Sequence, residues 1–364
     1  MDKDVYNPRK LREEYCYSYS AEIINKISNA IKLADLNNDI PYMLYFREEL
    51  CDAASKWHVD VAEIIKVFKE ALALIDKYPD VECTYFQVGK DATEHLLCAY
   101  ETFLNIIISF DSVSIEEYKG YLNDFRKRWT AYGCTEKEPY RMELGLCLET
   151  GDIDGAEKLW QEYKKTPANI YERNVNYITD VKYYLLNNEI EKAIQLTNGV
   201  PDGYRKRLCL EYYLVNGNYK KAEEIAYRLE HSHGCKREIM QFASFMCAYV
   251  YSRTGRGLRI YKKHWEEWEA EKNPQYRYYT FKNAACFFKV LKEAKGFDVV
   301  KLKTGSPVPA CSGDNIYNTD MLYKYYYKEA EEIAKRFDKR NCTDVYTKRL
   351  LASIENTCAR KDKL

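Results

Sequence analysis

The chain is 364 residues long, 46% hydrophobic and 31% charged, so it can build a sizeable core and is not a disordered tail protein. Lys and Arg number 56 and Asp and Glu number 56, a formal net charge of zero, which lacks the basic excess of a nucleic-acid coat or a polybasic membrane binder. Only 15 Gly and 9 Pro argue against an all-β fold, which needs many tight turns. From the N-terminus, MDKDVYNPRKLREEYCYSYS has no apolar core of a secretory signal. Segments with apolar residues at i, i+3, i+4 and i+7 then predict helices over Ala21 to Leu36, Val61 to Tyr78, Ala92 to Phe110 and Ile115 to Tyr132. The longest apolar stretch, Phe103 to Phe110, falls far short of the roughly 20 residues of a spanning helix. The 13 Cys include no CxxC pair, and Cys98, Cys147, Cys209, Cys247 and Cys286 sit beside apolar neighbours. They read as small buried hydrophobes of a reducing, cytoplasmic compartment.

The helical segments are separated by short breaks such as Asn37-Asn38-Asp39, Thr150-Gly151-Asp152, Asn187-Asn188-Glu189 and Asn216-Gly217-Asn218. Gly or Asn ends one helix and a capping residue opens the next, which predicts antiparallel hairpins. The hairpins repeat. Turn residues Gly151, Asn188 and Gly217 align, followed by Ile153, Ile190 and Tyr219, and then by Ala156, Ala193 and Ala222. A weaker copy is expected at Gly255, with Gly257, Ile260 and Tyr251, and another upstream at Ile115 and Tyr118. Intervals between turns scatter around the roughly 34 residues of one helix-hairpin repeat.

These residues resemble the tetratricopeptide (TPR) family, with Tyr184 and Tyr213 at the aromatic position of the first helix and Trp160 at the large position after the small residue. The resemblance is carried by residues 136 to 232 and more weakly by 84 to 270. It departs from the family at Leu144, Val181 and Leu210, where a small residue is usual, and in mostly lacking the closing Pro. It implies an all-α, right-handed α-solenoid of stacked antiparallel hairpins, because one hairpin cannot bury its apolar face alone. Residues 1–83 are expected to form N-terminal hairpins, 84–270 the repeats, and 271–364 C-terminal helices. In that last part, Pro274 to Lys295 is a strong helix and 296–319 a long loop with a possible brief hairpin near Val299 to Leu302. Asp320 to Asp338 and Asp344 to Ala359 are closing helices, the last capping the array.

No nucleophile, general base or metal set stands out, so no enzyme and no cofactor are expected. His231, His233 and Cys235 carry metal-ligating groups, but a structural zinc needs four ligands and no matching pair follows, so a solvated loop is the plainer reading. Thr254-Gly255-Arg256-Gly257 lacks the Lys-Ser/Thr ending of a phosphate loop. The Asn341-Cys342-Thr343 sequon carries no weight in a cytoplasmic protein. By position, the TPR resemblance implies that Arg141, Lys182, Arg207, Glu211, Phe245, Tyr249 and Ser252 face the concave groove, where Arg and Lys could hold carboxylates. The residues of a dicarboxylate clamp are not reproduced. A secondary patch interleaves Arg256, Arg259, Lys262 and Lys263 with Tyr278 and other aromatics, a pattern that can stack on bases and neutralise phosphates, although Tyr261, Trp265 and Trp268 also fit a core-facing helix stripe. The expected function is a cytoplasmic scaffold or adaptor binding a peptide or protein in its groove, without membrane association and with no nucleic-acid partner expected. The alternatives are a peptide-sensing regulatory protein and an RNA-binding helical-repeat protein.

Overall fold

The computed structural model describes residues 6–16, 22–54, 60–81, 92–167, 178–197, 203–231, 239–302, 305–312 and 315–359. Among the described residues the chain is all-α apart from one small hairpin, and its arrangement is compatible with a helical repeat. It divides into two compact units, residues 1–143 with 162–170, and residues 144–161 with 171–364.

The first unit holds α1 (Pro8–Cys16), α2 (Glu22–Asn37), α3 (Ile40–Ala54), α4 (Val61–Lys77), α5 (Ala92–Ile107), α6 (Ile115–Ala131) and the start of α7 (Lys137–Thr150). The Asp60 carboxylate caps α4 by accepting from the Ala62 N–H, and the Ser114 hydroxyl caps α6 by accepting from the Glu117 N–H, each satisfying a donor the helix leaves open. Its core is aromatic: Phe68 stacks on Phe103 with ring centroids 4.1 Å apart, and Tyr100 meets both Phe68 and Phe125 edge-on. Arg128 ties α6 to α4 through Asp76 and also pairs with Asp124 on its own helix.

The second unit takes the end of α7 and most of α8 (Ile153–Lys165), then α9 (Ile178–Leu186), α10 (Ile190–Gln195), α11 (Gly203–Val215), α12 (Tyr219–His231), α13 (Ile239–Ala248), α14 (Thr254–Ala270) and α15 (Pro274–Glu293). After these come β1 (Val299–Lys301), β2 (Ile316–Asn318), α16 (Thr319–Asn341) and α17 (Val345–Ala359).

The three aligned turns share one hydrogen-bonding scheme. Gly151, Asn188 and Gly217 have φ of 76°, 59° and 71°. The next N–H reaches back to close the helix, Asp152 to the Cys147 carbonyl at 3.0 Å, Glu189 to Tyr184 at 2.8 Å and Asn218 to Tyr213 at 2.9 Å. This is the Schellman ending, which uses up carbonyls the helix would otherwise leave open. The same residue starts the following helix, since Ala156, Ala193 and Ala222 donate to the Asp152, Glu189 and Asn218 carbonyls. All three alanines are fully buried, as a position of close helix approach requires. Trp160 stacks on Tyr183 of the next hairpin at 4.0 Å and meets Tyr184 edge-on. Tyr219 is buried at the position where Ile153 stays 59% exposed.

The fourth copy is shifted from the expected register. Gly255 lies inside the first turn of α14, and the break between helices runs from Tyr249 to Arg253. Counted from Ser252, the small position is Gly257, not Ile260. A Cβ added there would come within 2.6 Å of Phe287 Cε2 and 3.1 Å of the Met246 carbonyl. Gly257 thus does for α13 and α14 what Ala156, Ala193 and Ala222 do in the earlier hairpins.

The hairpin expected near Val299 is present: β1 and β2 pair antiparallel with Val300 opposite Tyr317. Val300, Leu302, Val308 and Tyr317 are buried in the main core beside Phe288 and Tyr326, so this segment covers the helices rather than looping free. The closing helix α17 does more than extend a stack. It lies against α11, α15 and α16 and donates to the ends of earlier helices: Arg349 Nη2 to the Leu148 carbonyl at 3.2 Å and Asn356 Nδ2 to the Val215 carbonyl at 2.9 Å. The Tyr251 hydroxyl donates back to the Thr357 carbonyl at 2.7 Å. Asn341 of the sequon is buried and its amide donates to the Glu149 carbonyl at 3.4 Å. Ten cysteines between Cys51 and Cys358 are free thiols; Cys147, Cys209, Cys247 and Cys286 are buried as expected, whereas Cys98 is exposed. None of the described helices is long and apolar enough to cross a membrane.

Candidate binding surfaces

Two polar clusters lie among the helices of the second unit. In the first, Glu149 at the end of α7 accepts from Lys182 Nζ at 2.9 Å, Gln275 Nε2 at 3.1 Å and the Tyr346 hydroxyl at 3.1 Å. Burial alone would push its carboxyl up, but the Lys182 and Arg349 charges reverse this and hold it at about 2. In the second, Glu211 accepts from Lys282 Nζ at 2.9 Å, Asn283 Nδ2 at 2.8 Å and the Ser244 hydroxyl. Burial opposes ionisation of both Glu211 and Lys282, and each charge overrides that for the other, lowering the carboxyl and raising the ammonium. Glu149 and Glu211 are thus fixed anions whose donors are already supplied. A carboxylate held in this way does not trade protons near neutral pH.

A third arrangement is open. A cavity of about 470 Å³ is lined by Glu230 at the end of α12, Phe242 of α13, and Arg256, Arg259, Ile260, Lys263 and His264 of α14. Arg256 Nη2 pairs with Glu230 at 2.8 Å, and the Tyr249 hydroxyl donates to the same carboxylate at 2.6 Å. Burial raises the Glu230 carboxyl, and Tyr249 and Arg256 together bring it below its ordinary range. His264 is buried, stacked on Phe242 with centroids 3.9 Å apart, its Nδ1 2.7 Å from Glu267. Arg259 and Lys263 are exposed, and among the described residues neither forms an ion pair.

The residues expected to share one groove separate into different surroundings. Arg141 belongs to the first unit, where it is buried and bound by Glu138 and Glu101. Burial outweighs the guanidinium at Glu101 and pushes that carboxyl up to about 7. Lys182 and Glu211 enter the two saturated clusters, and Arg207 is buried with Nη1 3.1 Å from Met240 Sδ. Phe245 and Tyr249 are fully buried, because both face the core that α13 shares with α14 and α15; only the Tyr249 hydroxyl reaches a polar partner. Ser252 is exposed in the break before α14. Of the secondary patch, Arg256, Arg259 and Lys263 meet at the cavity, Lys262 is half-buried, and Tyr278 is fully buried with its hydroxyl on the Tyr346 carbonyl. Of the possible metal ligands, His231 places Nδ1 2.7 Å from the Tyr227 carbonyl, and His233 and Cys235 lie outside the described residues.

Sequence reading missed Glu149, Ser244, Gln275, Lys282, Asn283, Tyr346 and Arg349. A signal existed for two of them: Gln275 and Lys282 form, with Tyr279, a stripe at i, i+4 and i+7 on the largely buried α15. No protein-family model, curated protein or solved structure matches the chain.

Proposed function

We propose that the chain is a TPR-like scaffold or adaptor that binds a peptide or protein partner. The observation that carries this reading is the recurrence of one hairpin unit, with the same left-handed turn, the same two backbone bonds and the same buried small residue at three successive positions. Units of this kind stack by sharing their apolar faces and leave long helix faces free for a partner. The aromatic half of the basic segment argues for protein over RNA. Tyr261, Trp268 and Tyr278 are fully buried, which withdraws three of the segment's rings from the stacking that single-stranded nucleic acid uses, while Trp265, Tyr276 and Tyr279 are half-buried. The test is affinity capture on the intact chain from native lysate, with and without nuclease treatment. A protein retained equally after nuclease supports the scaffold reading. Retention that vanishes with nuclease supports the RNA reading, and retention of nothing above an unrelated bait opposes both.

A further inference from the structure

We infer that the groove between α12 and α14 takes a carboxylate-rich segment of the protein partner, with Arg259 and Lys263 as its contact cations. This rests on the scaffold reading and narrows it to one surface and one chemistry. The groove is lined by three basic residues, Arg256, Arg259 and Lys263, against one carboxylate, Glu230, and that carboxylate is already matched by Arg256 and Tyr249. Elsewhere in this unit several exposed lysines find an acid one turn away, as in Lys324 with Asp320, Lys335 with Glu331 and Lys348 with Asp344, whereas Lys221, Lys272 and Lys339 have no ion pair among the described residues. Along α14 the residues one turn from Arg259 are Gly255, Arg256, Lys262 and Lys263, so no acid on its own helix can neutralise it. Glu266 and Glu267 lie one turn beyond Lys263, and Glu267 is turned to the His264 ring.

The backing is built rather than loose. Glu230 fixes Arg256, whose guanidinium lies 5.3 Å from the Tyr249 ring centroid, and the His264 and Phe242 rings stack on one another at the cavity lining. An Arg fork recognises carboxylates in a bidentate geometry, and Lys adds a second point of charge. Phe242 and Ile260 are half-buried at the same cavity and give an aliphatic side chain of the segment something to cover. Among the described residues lining the cavity, the half-buried aromatic ring is Phe242, and one of its faces is already covered by His264, which favours an acidic polypeptide over a nucleic acid.

The experiment is titration of the full chain at low salt with poly-L-glutamate and, separately, with polyuridylate, read by fluorescence anisotropy. The groove variant is Arg259→Gln with Lys263→Gln; the control is Lys324→Gln with Lys348→Gln, which removes the same charge from exposed sites. Circular dichroism confirms that both variants fold. The expected result is that poly-L-glutamate binds the parent and the control alike and binds the groove variant at least about tenfold more weakly, the loss of roughly one charge-assisted bond. Equal losses in the groove and control variants, no binding by the parent, or tighter groove-dependent binding of polyuridylate would each overturn the inference. A nuclease-resistant partner captured equally by parent and groove variant would remove this site while leaving the scaffold reading in place.

Discussion

The stacking of the second unit depends on a few residues chosen for what they lack. Ala193 is fully buried where two helices meet, so Ala193→Leu should overpack that contact and destabilise the protein by about 1–3 kcal/mol, read as a lowered urea midpoint. The two glycines at the start of α14 should respond in opposite ways. Gly257→Ala should destabilise, because the new methyl meets Phe287 and the Met246 carbonyl. Gly255→Ala has nothing within 4 Å of the added Cβ and sits in helical backbone, so it should stabilise by about 0.5–1 kcal/mol through lost unfolded-state entropy. The reverse order of the two midpoints would put the repeat back in the Gly255 register. These positions also show how far a residue pattern can be read. Gly151, Asn188 and Gly217 announced their turns because a left-handed residue between two capping signals has few other uses. Gly255 and Gly257 misled because the same residue also serves close packing, and only the neighbouring helices reveal which use applies.

Helices were legible as elements, and their partners much less so. The α15, α16 and α17 segments follow from apolar periodicity and from caps such as Asn273 and Asn318, whose side chains accept N–H bonds in the first turn. That α17 crosses back over the ends of α7 and α11 could not be read, since periodicity reports which face is apolar and not what covers it. The same blindness hid the Glu149 cluster, whose members come from α7, α9, α15 and α17. Its energetics give a test. The Glu149 carboxyl ordinarily titrates at 4.5 and is held at about 2 in the folded chain. A folded pKa below the unfolded one means the contribution is present above about pH 4.5 and is lost as pH falls toward 2. By linkage it amounts to about 3 kcal/mol at neutral pH. Glu149→Gln should therefore be less stable than the parent at pH 7, with the gap narrowing steadily below pH 4.5. A gap independent of pH would mean that Lys182 and Arg349 do not hold that charge.

At the scale of the molecule, the all-helical class, the short hairpin near Val299 and the recurring turns were open to sequence reading, because each is written in local spacing. The candidate site was open only in part. Arg256, Arg259 and Lys263 were marked by composition, but that Arg256 pairs with Glu230 while Arg259 and Lys263 form no ion pair among the described residues is a property of the folded helix faces. Apart from the exposed Ser252, the residues assigned to a groove by repeat position are divided between polar clusters and core, since position within a repeat does not say what a neighbouring helix supplies: Glu149 waits for Lys182, and Lys282 for Glu211. The central claim is that this is a binding scaffold whose partner docks on α12 and α14. The most direct measurement is lysine- and carboxylate-reactive cross-linking of the captured complex, with the joined residues mapped by mass spectrometry. The account predicts joins between acidic residues of the partner and Lys262 or Lys263, lost in the Arg259→Gln, Lys263→Gln variant along with the partner itself. Joins confined to other helices, with the partner still retained by that variant, would contradict it.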